Sequence, residues 1–208
     1  LPAILRKFGY RSADISVRHY ADAYDLNLRN GFHYANSRSL EKPRTIRLAL
    51  LVHPSASLFL EQSYDRVAGR LRHAFGLADL VDPYELVTQT GPRRDRRDPM
   101  RIAELLEFMD RTPEPFFAHV HLMVAHGKYF EPRSRLFSKG KRQNKPWRNA
   151  FYDDALRDYD VSVAEVVRHL QRAGRYDRTL LVLNSDHGRR HAMSENLPLI
   201  IKLPRGER

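Results

Sequence analysis

TLLVLNSDHG, residues Thr179 to Gly188, is the stretch on which the reading of the fold turns. Thr179 and Leu180 to Leu183 are five successive apolar or β-favouring residues with no alternation, followed at once by Asn184, Ser185, Asp186, His187 and Gly188. A continuous run of this kind predicts a strand buried on both faces, of the parallel type. Open α/β sheets place their chemistry where such strands run out into polar loops. Asp186 and His187 are adjacent residues of metal-ligand type, and Gly188 lets the backbone turn away behind them. A polar loop without a metal is the competing reading.

Upstream, Asn149 to Arg172 is the clearest helix of the chain. Ala155, Leu156, Tyr159, Val163, Val166, Val167 and Leu170 form an apolar stripe. Asp153, Asp154, Asp158 and Asp160 lie toward the N-terminal half, where the helix dipole favours acids, and read as structural or capping groups. Gly174 ends the helix, and a short turn leads into the Thr179 strand.

Further back, FFAHVHLM at Phe116 to Met123 predicts a second buried strand, after Pro113 and Pro115 have stopped a short amphipathic helix over Arg101 to Met109. His119 and His121 share one strand face, a spacing open to metal ligation or to ordinary hydrogen bonding beside a core. The strand runs out into Val124, Ala125, His126 and Gly127, so His126 sits at a strand exit as Asp186 and His187 do. Helices over Leu1 to Phe8 and Glu61 to Ala74 and strands over Ala13 to Val17 and Leu199 to Leu203 complete the pattern. Thr45 to Leu60 is apolar but ambiguous, interrupted by Pro54 and two serines, and GPRRDRRDP at Gly91 to Pro99 reads as exposed.

The bulk numbers constrain partners. Thirty-six Lys and Arg against 25 Asp and Glu give a net charge of +11, which favours anionic partners. No cysteine occurs, so thiol nucleophiles, disulfides and cysteine-ligated metals are absent from these 208 residues. No apolar run approaches the roughly 20 residues of a transmembrane span. Arg133 to Arg148 carries seven basic residues and no acidic one, with Pro146 and Trp147 among them. Such a loop can follow a phosphate backbone, line an anion pocket, or simply be solvated. It lacks zinc-finger, helix-turn-helix and ribonucleoprotein-type signatures, which weighs against nucleic acid.

These segments together resemble the interior of a sulfatase-type member of the alkaline phosphatase superfamily. The resemblance rests on LPAILRKFGYRSADIS at Leu1 to Ser16, PFFAHVHLMVAHGKYFEP at Pro115 to Pro132, FYDDALRDYDVSVAEVVRHLQRAGRYDRTLLVLNSDHG at Phe151 to Gly188 and LPLIIKLP at Leu197 to Pro204. It is weakest over Glu41 to Asp110. It implies an α/β fold: an alkaline-phosphatase-like sandwich with a mostly parallel central sheet, incomplete in this chain, so that residues 1–208 form a partial catalytic domain with the 133–148 basic loop inside it.

The implied activity is metal-dependent hydrolysis of sulfate esters. Alternatives are a phosphodiesterase or phosphoglycerol transferase of the same superfamily, or a noncatalytic protein that binds anions or nucleic acid. Asp186 matches the family's metal-binding aspartate. His187 stands where many sulfatases carry asparagine and several phosphate-transferring relatives carry a metal-binding histidine. His126 matches the histidine that contacts the ester oxygens and assists the leaving group. Lys128 stands where proline is common and is a candidate substrate contact.

His191 is the candidate for the further basic residue near the substrate, because the usual insertion after the DHG loop is shortened to His191 to Asn196. The implied cofactor is a divalent metal ion, Mn, Ca, Zn or Mg, and the implied substrate a sulfate or phosphate ester. The family's opening strand and its Cys, Ser or Thr nucleophile have no counterpart here and would lie before Leu1, so the nucleophile is unassigned and these residues alone are expected to be inactive. An extracytoplasmic or membrane-attached location would likewise depend on a region ahead of Leu1.

Overall fold

A computed structural model of the chain describes residues 1–17, 21–24, 26, 28, 31–36, 38–39, 54–77, 97–113, 115–188 and 196–206. His191 and most of the ambiguous 45–60 and turn-like 82–101 stretches lie outside them. The chain divides into two compact units, Leu1–Val87 with Glu114–His119, and Thr88–Pro113 with Val120–Arg208.

The first unit holds helix α1 (Pro2–Lys7), strands β1 (Arg11–Ile15), β2 (Tyr34–Ala35) and β3 (Arg38–Ser39), helix α2 (Pro54–Ala74) and strand β4 (Phe116–Val120), whose last residue falls at the boundary. The strands form one sheet in the order β3-β2-β1-β4, with β1 parallel to β2 and β2 antiparallel to β3. Ser12, Ala13, Asp14 and Ile15 are all buried, as an interior strand covered on both faces requires. Helix α2 begins seven residues before the predicted Glu61. Pro54 is its first residue, where a proline suits a helix start because its missing N–H would have had no intrahelical partner. Tyr64, Val67, Leu71 and Phe75, apolar residues at helical spacing, are exposed.

The second unit holds helices α3 (Arg97–Arg111) and α4 (Asn149–Arg172), a short 3-10 turn at Tyr176–Arg178, and strands β5 (Leu181–Asn184) and β6 (Leu199–Lys202). Helix α4 has the predicted bounds, and Gly174 closes it at φ +65°, a conformation open to glycine at no steric cost. Its buried face differs from the expected stripe: Phe151, Asp154, Ala155, Asp158, Ser162 and Leu170 are buried while Leu156 is exposed. Phe130, Phe151 and Ala155 form a small core, flanked by Val124, Trp147 and Tyr152.

The α/β class stands, and the sheet arrangement needs correction. Strands β5 and β6 are antiparallel, with Leu181 opposite Lys202 and Asn184 opposite Leu199, and form a two-stranded sheet separate from that of β1. The strands of the described residues are therefore mixed in direction rather than mostly parallel. Leu180 is 56% exposed and Val182 46%, so the unbroken apolar run is not buried on both faces. An apolar run carries no record of the direction of its partner, and only the pairing decides it.

Candidate active site

The site residues come from two strand exits, both within the second unit. After β4 the chain turns at Met123 to His126, closed by the His126 N–H donating to the Met123 carbonyl at 2.9 Å. Gly127 follows at φ +101°, a backbone angle costly for any residue with a Cβ. The turn is gripped from α3: the Asp98 carboxylate accepts the Met123 N–H at 2.8 and 3.1 Å and is held in turn by Arg101. Asp98 was missed in the sequence, where 91–99 reads as exposed. Its signal was there, an acid directly before a proline at a helix start.

At the second exit, Asp186, His187 and Gly188 follow β5. The His187 N–H donates to Asp186 Oδ1 at 3.0 Å and the Ser185 hydroxyl donates to the His187 carbonyl at 2.6 Å. His187 Nδ1 lies 2.9 Å from the Gly188 carbonyl. A carbonyl only accepts, so Nδ1 carries the hydrogen and, in the neutral ring, Nε2 presents its lone pair. That Nε2 lies 3.8 Å from Asp186 Oδ2, beyond hydrogen-bond range, and the Asp186 side chain is 60% exposed. The rings of His126 and His187 meet edge to face with centroids 6.1 Å apart. Residues 61 positions apart thus converge, with Asp186 beside them.

Lys128, two residues past His126, is exposed, and its carbonyl accepts the Trp147 N–H at 2.8 Å. His119 is engaged elsewhere: its Nδ1 lies 2.7 Å from Asp14 Oδ1, and the buried Asp14 also accepts from Ser16 Oγ and the Ala23 N–H. His121 lies past the end of β4, so the two histidines do not share a strand face.

Asp186 and His187 fit a divalent cation in donor type, a carboxylate beside an imidazole whose second nitrogen is oriented by a backbone carbonyl. Yet no group of three or more His, Cys, Asp or Glu able to hold a metal occurs among the described residues. Two donors make half of a tetrahedral set.

The basic loop after His126 is not merely solvated. The Asp154 carboxylate, shut off from solvent, accepts the N–H groups of Leu136, Phe137 and Ser138, each at 2.9 Å, and the Ser138 hydroxyl at 2.6 Å. Burial alone pushes its pKa up; the hydrogen bonds from the Ser138 hydroxyl and the three amides outweigh it and hold the group at about 2, below the ordinary 3.8. Asp158 accepts the Arg133 N–H at 2.6 Å.

Residues 50–201 match the model of the sulfatase family. The chain belongs to the sulfatase family, hydrolases of the alkaline phosphatase superfamily. No curated protein and no solved structure matches it. Among the described residues no helix is long and apolar enough to cross a membrane.

Proposed function

We propose that the protein is a metal-dependent hydrolase of sulfate esters, with this chain supplying part of the active site in an alkaline-phosphatase-like sandwich. The observation that carries the proposal is the convergence of His126 with His187 and its neighbour Asp186, from two strand exits. Asp186 and His187 would hold the cation; His126 and Lys128 are the proposed contacts to the substrate anion, with His191, outside the described residues, as the further basic candidate. A bound divalent ion, Mn, Ca, Zn or Mg, would offset charge on the ester oxygens and lower the pKa of a nucleophile.

His126 donates a hydrogen bond to a nonbridging oxygen, where charge builds in the transition state. In its protonated form it passes a proton to the leaving alkoxide as the S–O bond to the leaving group breaks. The Nδ1 hydrogen bond to Gly188 keeps His187 in the tautomer whose Nε2 can ligate.

A second reading, hydrolysis or transfer of a phosphate diester, is favoured by the imidazole of His187, a nitrogen donor where many sulfatases carry an amide. The test is metal analysis of the intact protein with a panel of aryl sulfates and aryl phosphodiesters, beside Asp186→Ala. Stoichiometric divalent metal, lost together with turnover in the variant, is the expected result, and the panel then ranks sulfate against phosphate. A protein that retains no metal and turns over neither ester class would overturn the hydrolase reading in favour of an anion-binding role.

A further inference from the structure

From Lys128 to Trp147 the chain makes an excursion of 20 residues that contains no helix or strand and returns to its start. Its neck is the Trp147 to Lys128 hydrogen bond, two residues from His126. Loops of this length without secondary structure are generally either disordered or functional. This one is pinned at several points: Asp154 holds residues 136–138, Asp158 holds Arg133, and Gln143 Oε1 accepts the Phe130 N–H at 3.2 Å. Trp147 adopts φ +58°, rare for a large side chain, with its ring edge-on to Phe130 at 6.1 Å.

The seven cations of the loop divide into two groups. Arg133 donates to the Asp158 carbonyl and Ser162 Oγ, Arg135 lies over the Phe151 ring, and Arg148 donates to the Arg142 carbonyl and Asn144 Oδ1. These three build the loop. Lys139, Lys141, Arg142 and Lys145 have exposed side chains that form no hydrogen bond or ion pair with another described residue. Lys139 and Lys141 flank Gly140 in a turn closed by the Lys141 N–H to Ser138 carbonyl bond at 2.9 Å. Ser138 is fully buried against Asp154, so the turn is rooted. Four exposed cations on a backbone pinned by these hydrogen bonds would lose little entropy on meeting a charged ligand.

We propose that this loop is a second anion-recognition element that holds charged groups other than the ester under attack, so that the substrate is a chain bearing several sulfate or phosphate groups. The assignment to substrate rests on the hydrolase reading; the binding surface does not. Trp147, the aromatic on which a single-stranded nucleic acid would stack, is turned against Phe130, although Phe137 is 49% exposed, so an oligonucleotide is a fair competitor.

The experiment is titration of the intact protein with fluorescent dextran sulfate and with polyphosphate over a range of salt. Neutralising the loop (K139Q/K141Q/R142Q/K145Q) is expected to raise Kd at least ~10-fold and to flatten the slope of log Kd against log salt by about 3. A control with the same loss of charge on exposed residues elsewhere (R6Q/K7Q/R66Q/R70Q) is expected to leave Kd within about twofold, because the contacts are local. Asp154→Asn keeps every loop cation and is expected to weaken binding by loosening the loop.

Equal losses in the loop and control variants overturn the proposal, and so does tighter binding of a single-stranded oligonucleotide or of phosphatidylglycerol vesicles at equal anionic charge. Turnover of 4-nitrophenyl sulfate is followed in parallel. Loop-dependent binding without turnover sinks the hydrolase reading and leaves the surface standing; turnover without loop-dependent binding does the reverse.

Discussion

Asp154 and Asp186 are both aspartates of the second unit, and the structure spends them in opposite ways. Asp154 is fully buried and accepts four hydrogen bonds from three successive loop residues. Asp186 is exposed and accepts its neighbour's N–H, with one oxygen 3.8 Å from an imidazole nitrogen it does not bond. A carboxylate whose lone pairs are all engaged is scaffold, while one with capacity left beside a second donor is available for chemistry. The same contrast separates Arg133, Arg135 and Arg148, which hold the basic loop together, from the four cations it displays.

Substitution breaks the comparison most sharply at Asp186. Asp186→Ala is expected to lower turnover by at least ~10³-fold, as loss of a metal ligand exceeds the usual cost of a single transition-state donor, with the melting temperature of the metal-stripped protein unchanged. His126→Gln removes the proton donor and is expected to lower kcat by about 10²-fold or more, with the loss carried in kcat rather than KM.

Asp154→Asn reverses the pattern. It turns an NH₂ group toward the N–H and hydroxyl of Ser138, and denaturant melts should show a loss of ~1–3 kcal/mol. Wild-type stability also carries a pH signature. The folded value of about 2 lies below 3.8, so the unfolded chain takes up the proton first as pH falls. The contribution is complete above about pH 4 and is lost toward pH 2, and the variant should lack that part of the acid limb. If Asp154→Asn melts like the wild type, the scaffold role is wrong. The smallest effect is expected at Lys128→Ala: stability within about 0.5 kcal/mol, since the side chain is exposed, and a KM raised a few-fold with kcat unchanged if the ammonium meets the substrate anion.

Much of this was legible in the chain. The 3.6-residue period with Gly174 behind it marks α4 from Asn149 to Arg172, and the change from apolar run to polar loop marks both strand exits, and with them His126, Asp186 and His187. One proline was misread where it opens a helix. Pro54 looked like an interruption, because a proline that stops one helix and a proline that starts another are the same residue until the first turn is seen.

The sequence by itself determined the α/β class and the two strand exits that carry His126, Asp186 and His187, because periodicity, turn chemistry and ligand type are properties of neighbours along the chain. Only the tertiary structure decided that β5 pairs antiparallel with β6, that His119 belongs to Asp14, and which aspartates are spent. Those outcomes depend on partners 15 to 105 positions away. A hydrogen bond across such a gap leaves no period in the sequence, and whether a carboxylate is scaffold or site is set by who reaches it and whether water can.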